Sequence, residues 1–315
     1  MKIVVLDAQT VTKGDLPLEG LARFGELQVY DLTPPELIAE RVADADIVLC
    51  NKTKLCADNL VGADHLKYIG LFATGYNNID TEYAKTHGIT VCNAGSYSTD
   101  AVAQQTFGFI LNHYTHIADY DRFVKADGWL ESKTFSPFCF PTAELAGKTL
   151  GIVGYGKIGR RVAVIAAAFG MNVLAFTRTK RQDDIAEMVG FEELLQRSDV
   201  VTLHCPLNEQ SHLMFNADAF DKMKEGAYFV NTARGGAVDE QALFDALESE
   251  KLSGAGIDVL TDEPMRADCV LRGAKNITFS PHVAWAPLET RLRLMDIVTD
   301  NIAAFLDGCP KNTVV

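Results

Sequence analysis

The segment Gly154-Tyr155-Gly156-Lys157-Ile158-Gly159 constrains this chain more than any other. It follows an apolar, strand-like run, Leu150-Gly151-Ile152-Val153, and leads into the helix-forming stretch Arg160–Phe169 and a second strand-like run, Asn172–Phe176. In that context the three glycines have separate jobs: a tight turn, close backbone approach to a pyrophosphate, and close packing of helix on strand. The helix start adds unpaired N–H groups and a positive partial charge for the phosphates. From residue 149 onward the chain is therefore expected to build a parallel α/β sheet with a dinucleotide at its carboxyl edge.

The motif does not open the chain. Upstream, strand-like runs at Lys2–Asp7, Leu27–Tyr30, Ile47–Asn51, Tyr68–Ala73 and Thr90–Asn93 alternate with helix-like segments at Leu16–Phe24, Pro35–Ala43, Asp58–Ala63 and Thr81–His87. Five strands alternating with helices predict a complete parallel sheet of flavodoxin-like size, covered on both faces. A long helix is expected from Ser98/Thr99 to about Asp121, with Thr99 or Asp100 placed to cap it. An irregular stretch, Ala126–Thr142, carries Trp129, Phe135, Phe138 and Phe140. Further strands are expected at Thr149–Gly154, Asn172–Phe176, Val200–His204, Tyr228–Thr232, Gly256–Val259 and Ile277–Ser280, with helices including Glu240–Glu250 and a last one at Leu288–Leu306. With 315 residues, 48% of them apolar, the chain can support two such α/β units.

Charge and cysteine usage narrow the function classes. A formal charge of −13 argues against a nucleic-acid binder, which needs a basic footprint. The longest apolar stretch, Val162–Phe169, is too short for a bilayer, and the start at Met1 lacks the pattern of a signal peptide. Seven cysteines without a C-x-x-C pair suit a reducing cytosol better than a disulfide framework or a zinc site. The expectation is a soluble, cytoplasmic protein with no metal, membrane or nucleic-acid partner.

The end of the second strand bears on cofactor choice. An NAD site usually places Asp or Glu there, about twenty residues beyond the glycines, on the ribose 2′-hydroxyl. Here the sequence is Phe176-Thr177-Arg178-Thr179-Lys180-Arg181, with no carboxylate before Asp183. Arg178 can stack on adenine and pair with a 2′-phosphate. NAD(P)(H) is therefore expected, with NADP(H) favoured over the alternative of an ordinary solvated basic loop.

Three polar residues follow apolar strands, where open α/β sheets bind ligands. Arg234 follows Tyr228–Ala233, Glu263 follows Ile257-Asp258-Val259, and His282 follows Ile277–Pro281. Singly, each has a bland reading as ion-pair partner, turn residue or satisfied histidine. Together they are what a nicotinamide-dependent reduction of a 2-keto acid requires. The guanidinium binds the carboxylate, the imidazole supplies a proton, and the carboxylate stabilises the imidazolium.

At this point the chain resembles the D-isomer-specific 2-hydroxyacid dehydrogenases over essentially its whole length. The carriers are Gly154–Gly159, Asn231-Thr232-Ala233-Arg234-Gly235-Gly236-Ala237-Val238-Asp239-Glu240, Gly256–Val259 with Glu263-Pro264, and Pro281-His282-Val283-Ala284-Trp285-Ala286-Pro287. The resemblance implies Arg234, Glu263 and His282 as the catalytic set. It implies a cofactor environment of Gly154, Gly156, Lys157, Ile158, Gly159, Thr177, Thr232, Ala233, Asp258 and Ala284, to which Arg178, Cys205, Pro206 and His282 are added. The Phe72-Ala73-Thr74-Gly75-Tyr76 loop matches the one whose backbone N–H groups receive the substrate carboxylate, with Asn51 and Trp285 also on the substrate side. A substrate domain of residues 1–98 plus 288–315, interrupted by a Rossmann cofactor domain of residues 99–287, is implied, as is a homodimer built on the cofactor domain.

Within the family the Pro281–Pro287 and Asn51-Lys52-Thr53 segments look like hydroxypyruvate reductases, also called glycerate dehydrogenases. The implied reaction is reduction of a small 2-keto acid, hydroxypyruvate or glyoxylate, to the D-2-hydroxy acid. The alternatives are a D-lactate-type or aromatic 2-keto acid reductase, with Trp285 either limiting or lining the pocket, and an NAD(H)-sensing binding protein of the same fold. Formate oxidation would call for Gln in place of Glu263.

Overall fold

Strands buried on both faces read as unbroken apolar runs, and this chain has several. Ile47–Cys50, Tyr68–Leu71 and Val200–Leu203 are buried at every position. The computed structural model describes residues 1–178 and 184–315. Lys180, Arg181 and Asp183 of the expected basic segment lie outside the described residues. The chain divides into two units, Met1–Ser98 with Ala286–Val315, and Thr99–Trp285. The second boundary falls at 285/286 rather than the expected 287/288.

The smaller unit holds β1 (Lys2–Val5), β2 (Glu26–Val29), β3 (Ile47–Cys50), β4 (Tyr68–Leu71) and β5 (Thr90–Cys92). All pair in parallel, in the order β2-β1-β3-β4-β5, the flavodoxin-like order. The C-terminal helix Leu288–Leu306 belongs to this unit: Phe305 packs on Tyr68 with ring centroids 4.8 Å apart. Arg291 from the same helix reaches both oxygens of Asp15 at 2.7 and 2.8 Å. Two expected helices are weaker than their apolar spacing suggested. Leu18–Phe24, with Gly20 inside it, is a 3₁₀ helix, and the segment beginning at Pro34-Pro35 becomes a 3₁₀ turn followed by the short α-helix Ile38–Val42.

The larger unit holds β6 (Thr149–Val153), β7 (Asn172–Phe176), β8 (Glu187–Met188), β9 (Val200–Leu203), β10 (Ala227–Asn231), β11 (Leu252–Ile257) and β12 (Ile277–Phe279). Their order is β12-β11-β10-β9-β6-β7-β8, all parallel. This is the Rossmann order with one added strand. Two strands depart from the expectations. β8 has only two residues and no apolar alternation to announce it. β11 starts at Leu252, not Gly256, because Gly254 lets the strand pass close to its neighbours. A Cβ there would lie 2.6 Å from the Asn276 carbonyl oxygen and 3.2 Å from the His113 ring.

The long helix is also two helices, Thr99–Thr115 and Ile117–Lys125. His116 breaks it in the left-handed region at φ 50°, its Nδ1 2.8 Å from Asp119. Thr99 and Asp100 lie inside the first turn, and Asp100 pairs with Arg161 at 2.7 Å instead of capping.

Candidate active site

Topology sets the site before any side chain does. The chain leaves β6 for β7 on one side and later returns to place β9 on the other, so the loops after β6 and β9 diverge and leave a crevice. A pocket of about 350 Å³ lies there, lined by Gly154–Gly156, Phe176–Arg178 and residues of the 204–211 loop. Cys205 and Pro206 are among its lining residues.

Each glycine of the motif has its own constraint. Gly154 sits at φ 97°, and a Cβ on it would lie 2.6 Å from the backbone of His204 and Cys205. A Cβ on Gly159 would lie 2.3 Å from the Gly154 carbonyl oxygen, so this residue sets the helix-to-strand distance. Gly156 differs from both, because nothing lies within 4 Å of where its Cβ would be. No protein contact requires glycine there, and the space at the pocket is left open. Gly156 also starts the helix Lys157–Ala168 with no side-chain cap, which leaves the first-turn N–H groups of Lys157, Ile158 and Gly159 available to an anion.

His204, not anticipated from sequence, also lines the pocket. Among the described residues neither of its ring nitrogens has a protein partner, and burial pushes its pKa down to about 3. It is a neutral hydrogen-bonding group without a protein partner, beside the open cradle at Gly156. These features fit a dinucleotide.

The second half of the site forms where β10, β11 and β12 end side by side. Arg234 follows β10 in extended conformation and is half-buried. Buried Asn231 ties its turn: the side chain accepts from Ala233 N–H at 2.9 Å and donates to the Arg234 carbonyl at 3.0 Å. Gly235 then packs directly on the loop after β11, since a Cβ on it would lie 1.9 Å from the Leu260 carbonyl carbon. That loop holds Glu263, whose Oε1 accepts from Leu260 N–H at 3.0 Å and whose Oε2 lies 2.6 Å from His282 Nδ1. With both carboxylate oxygens engaged, Nε2 of His282 remains for a reacting group.

The backbone at His282 is in the left-handed region, φ 53°, which is costly for a residue with a side chain. Asp258 holds it there. Its carbonyl accepts from His282 N–H at 2.7 Å, and its buried carboxylate accepts from Val283 N–H at 3.0 Å, Ala284 N–H at 3.1 Å and the Ser280 hydroxyl. Gln105 donates in turn to Ser280 at 3.2 Å. The Trp285 indole N–H donates to the His282 carbonyl at 2.9 Å, so this residue braces the same loop. Thr232 lies 3.2 Å from Thr106 on the helix beneath.

In the smaller unit the Phe72–Tyr76 loop follows β4. Thr74 donates through its hydroxyl to the Gly95 carbonyl, and Asn93 donates to the Thr74 carbonyl at 2.8 Å. The backbone N–H groups of Thr74, Gly75 and Tyr76 donate to no protein group among the described residues. Asn51 is buried, and its amide N–H₂ reaches Thr10 at 3.1 Å, which makes it a brace within its own loop.

The family model for the D-isomer specific 2-hydroxyacid dehydrogenase NAD-binding domain matches residues 107–284. A hydroxypyruvate reductase of Blautia hydrogenotrophica is 41% identical over 320 residues, covering 100% of this chain and 99% of the relative. This chain belongs to the D-isomer specific 2-hydroxyacid dehydrogenase family. A glycerate dehydrogenase of Methylorubrum extorquens is 39% identical over 99% of this chain and 98% of its own length. Among solved structures, an acyclic imino acid reductase in complex with NADPH and D-Arg superposes with a TM-score of 0.89 at 30% identity, covering both chains completely. As a 2-hydroxyacid dehydrogenase the protein is an oxidoreductase with a nicotinamide cofactor.

The bracing residues of this dehydrogenase were the ones hidden from sequence reading. Ser280 and Gln105 act through partners distant in the chain, and His204 stands out only by its place in the pocket, so no spacing announces them. Asn231 alone had a local signal, as an Asn at a strand end two residues before a turn.

Proposed function

We propose that this 2-hydroxyacid dehydrogenase reduces hydroxypyruvate, glyoxylate or a similarly small 2-keto acid to the D-2-hydroxy acid. The observation that carries the reading is the Glu263–His282 pair at 2.6 Å, next to the loop that Gly235 joins to Arg234. The named activities of the hydroxypyruvate reductase and glycerate dehydrogenase relatives support the substrate class. The cofactor, when bound, supplies the hydride.

The chain's own residues do the rest. Arg234 binds the substrate carboxylate and polarises the carbonyl, which suits a permanently charged planar donor. His282 donates from Nε2 the proton that neutralises charge developing on the carbonyl oxygen. Glu263, fixed by Leu260, holds the ring by Nδ1 and so keeps Nε2 turned to the substrate side. For the smaller unit, the available N–H groups of Thr74, Gly75 and Tyr76 support its expected part in holding a carboxylate. Initial rates over a panel of 2-keto acids test the reading. Hydroxypyruvate or glyoxylate should give the highest kcat/KM, and a much higher value with phenylpyruvate would overturn it.

The cofactor we assign is NADP(H). Support comes from Thr177, which cannot repel a 2′-phosphate as a carboxylate would, and from the exposed guanidinium of Arg178 at the same pocket. We further assign a homodimer built on the larger unit, supported by Trp129, Leu130, Phe135 and Phe138, which are 54%, 82%, 92% and 92% exposed. Sedimentation velocity checks it: a monomer at micromolar concentration would remove that assignment. A cytoplasmic location is supported by seven unpaired cysteines, and no helix among the described residues is long and apolar enough to cross a membrane.

A further inference from the structure

The nucleotide pocket holds one side-chain pairing that neither the motifs nor the mechanism uses. Arg178, at the end of β7, donates through Nη1 to the Gln210 Oε1 at 2.7 Å. Gln210 comes from a different wall of the pocket, the loop after β9. That loop is closed on itself. Asn208 Oδ1 accepts from the N–H groups of Gln210 and Ser211 at 3.0 and 3.2 Å, while the Ser211 hydroxyl accepts from Asn208 N–H at 2.9 Å and donates to the Pro206 carbonyl at 2.7 Å. Ser211 is 5% exposed, which anchors the turn. Gln210 is thus presented from a stapled loop, and the guanidinium it meets is on an exposed residue with many rotamers to choose from.

The identity of the partner matters as much as its position. A carboxylate in the same place would orient the guanidinium equally well but neutralise it. An amide oxygen orients it and leaves the full positive charge for an anion. We propose that Gln210 is a cofactor-selectivity residue, a neutral brace that aims Arg178 at the 2′-phosphate of NADP(H). This rests on the NADP(H) reading above. The pair works as a unit: Arg178 supplies the charge, Gln210 supplies direction. Gln210 is a positioning residue and touches none of the reacting atoms.

Calorimetric titration of the full chain with NADPH and with NADH, without substrate, tests this. The quantity read is the ratio of the two Kd values. Gln210→Glu should lower the preference for NADPH about tenfold, by neutralising Arg178 and repelling the phosphate at a site only partly screened by solvent. Gln210→Leu, which removes the brace and adds no charge, should lower it about threefold. Arg178→Ala reports on the underlying reading and should lower it about tenfold or more. If Arg178→Ala lowers the preference and Gln210→Glu does not, the proposal for Gln210 is overturned while the NADP(H) reading stands. If Arg178→Ala leaves the ratio unchanged, the reading and the proposal fall together. Unchanged melting temperatures in all three variants show that any change in the ratio comes from the pocket.

Discussion

The two units of this dehydrogenase build the same kind of crevice and treat it in opposite ways. In the smaller sheet the strand order reverses between β1 and β3; in the larger it reverses between β6 and β9. Such reversal points are where open α/β sheets bind ligands. In the smaller unit the place is taken by the protein's own carboxylate. Asp7, 2% exposed just after β1, accepts from the N–H groups of Asn51, Lys52 and Thr53 and from the Thr53 hydroxyl, all at 2.7–2.8 Å. In the larger unit the equivalent turn carries Gly156, with no side chain, no cap and open space. One sheet satisfies its loop donors with a built-in anion, and the other leaves them for the phosphates of a ligand.

The largest effect that sharpens this contrast lies in the chemistry of the larger unit. His282→Ala should lower kcat about a thousandfold while NADPH affinity, measured by titration, stays near wild type. A large loss of affinity would place His282 in cofactor binding instead. Glu263→Gln keeps the shape of the pair and removes its charge, so kcat should fall about tenfold, with a smaller change in KM. An unchanged kcat would take Glu263 out of the mechanism.

The next effect belongs to the smaller unit. Asp7→Ala takes the acceptor from the buried Asn51 N–H and from the part-buried donors of Lys52 and Thr53 and should cost about 1–3 kcal/mol of stability, read by denaturant unfolding, with NADPH affinity retained. A variant as stable as wild type would mean that the Asp7 contacts do not close the crevice.

A smaller effect concerns protons in the larger unit. His113 stacks on Tyr228 at 4.0 Å, lies 3.0 Å from the Ser253 hydroxyl, and is pushed down to about 4 by burial. His204 is pushed down to about 3 for the same reason. An unfolded histidine titrates near pH 6.5, so below that value the unfolded chain takes up protons that the folded one refuses. The stability these residues contribute is complete above pH 6.5 and declines as pH falls toward 4. His113→Gln should therefore show a shallower loss of melting temperature between pH 6.5 and 5, above the range where carboxylates dominate. Equal slopes would contradict the assignment of His113 as a buried neutral group.

Sequence reading reached what is local or periodic. The Gly154–Gly159 turn, the strand at Asn172–Phe176 and the helix at Leu288–Leu306 carry their signals in consecutive residues, and the structure has them at those positions. Arg234, Glu263 and His282 were legible as polar residues after apolar strands, and parallel order then placed their strands side by side. The break at His116 was not legible, because a left-handed residue inside an apolar-periodic stretch leaves no compositional mark. Asp7 was hidden for a related reason. A carboxylate after a strand looks the same whether it meets solvent, a ligand or the backbone of a loop more than forty residues away, and only the fold decides which.

The contrast between closed and open crevices is tested most directly by titrating Gly156→Ala with NADPH beside the wild type. The added methyl meets no protein atom within 4 Å, so the melting temperature should not change. It enters the space where a pyrophosphate approaches the backbone, so the Kd should rise about tenfold or more. A Gly156→Ala protein that binds NADPH as tightly as wild type would contradict the account, because the open turn would then not be where the cofactor sits.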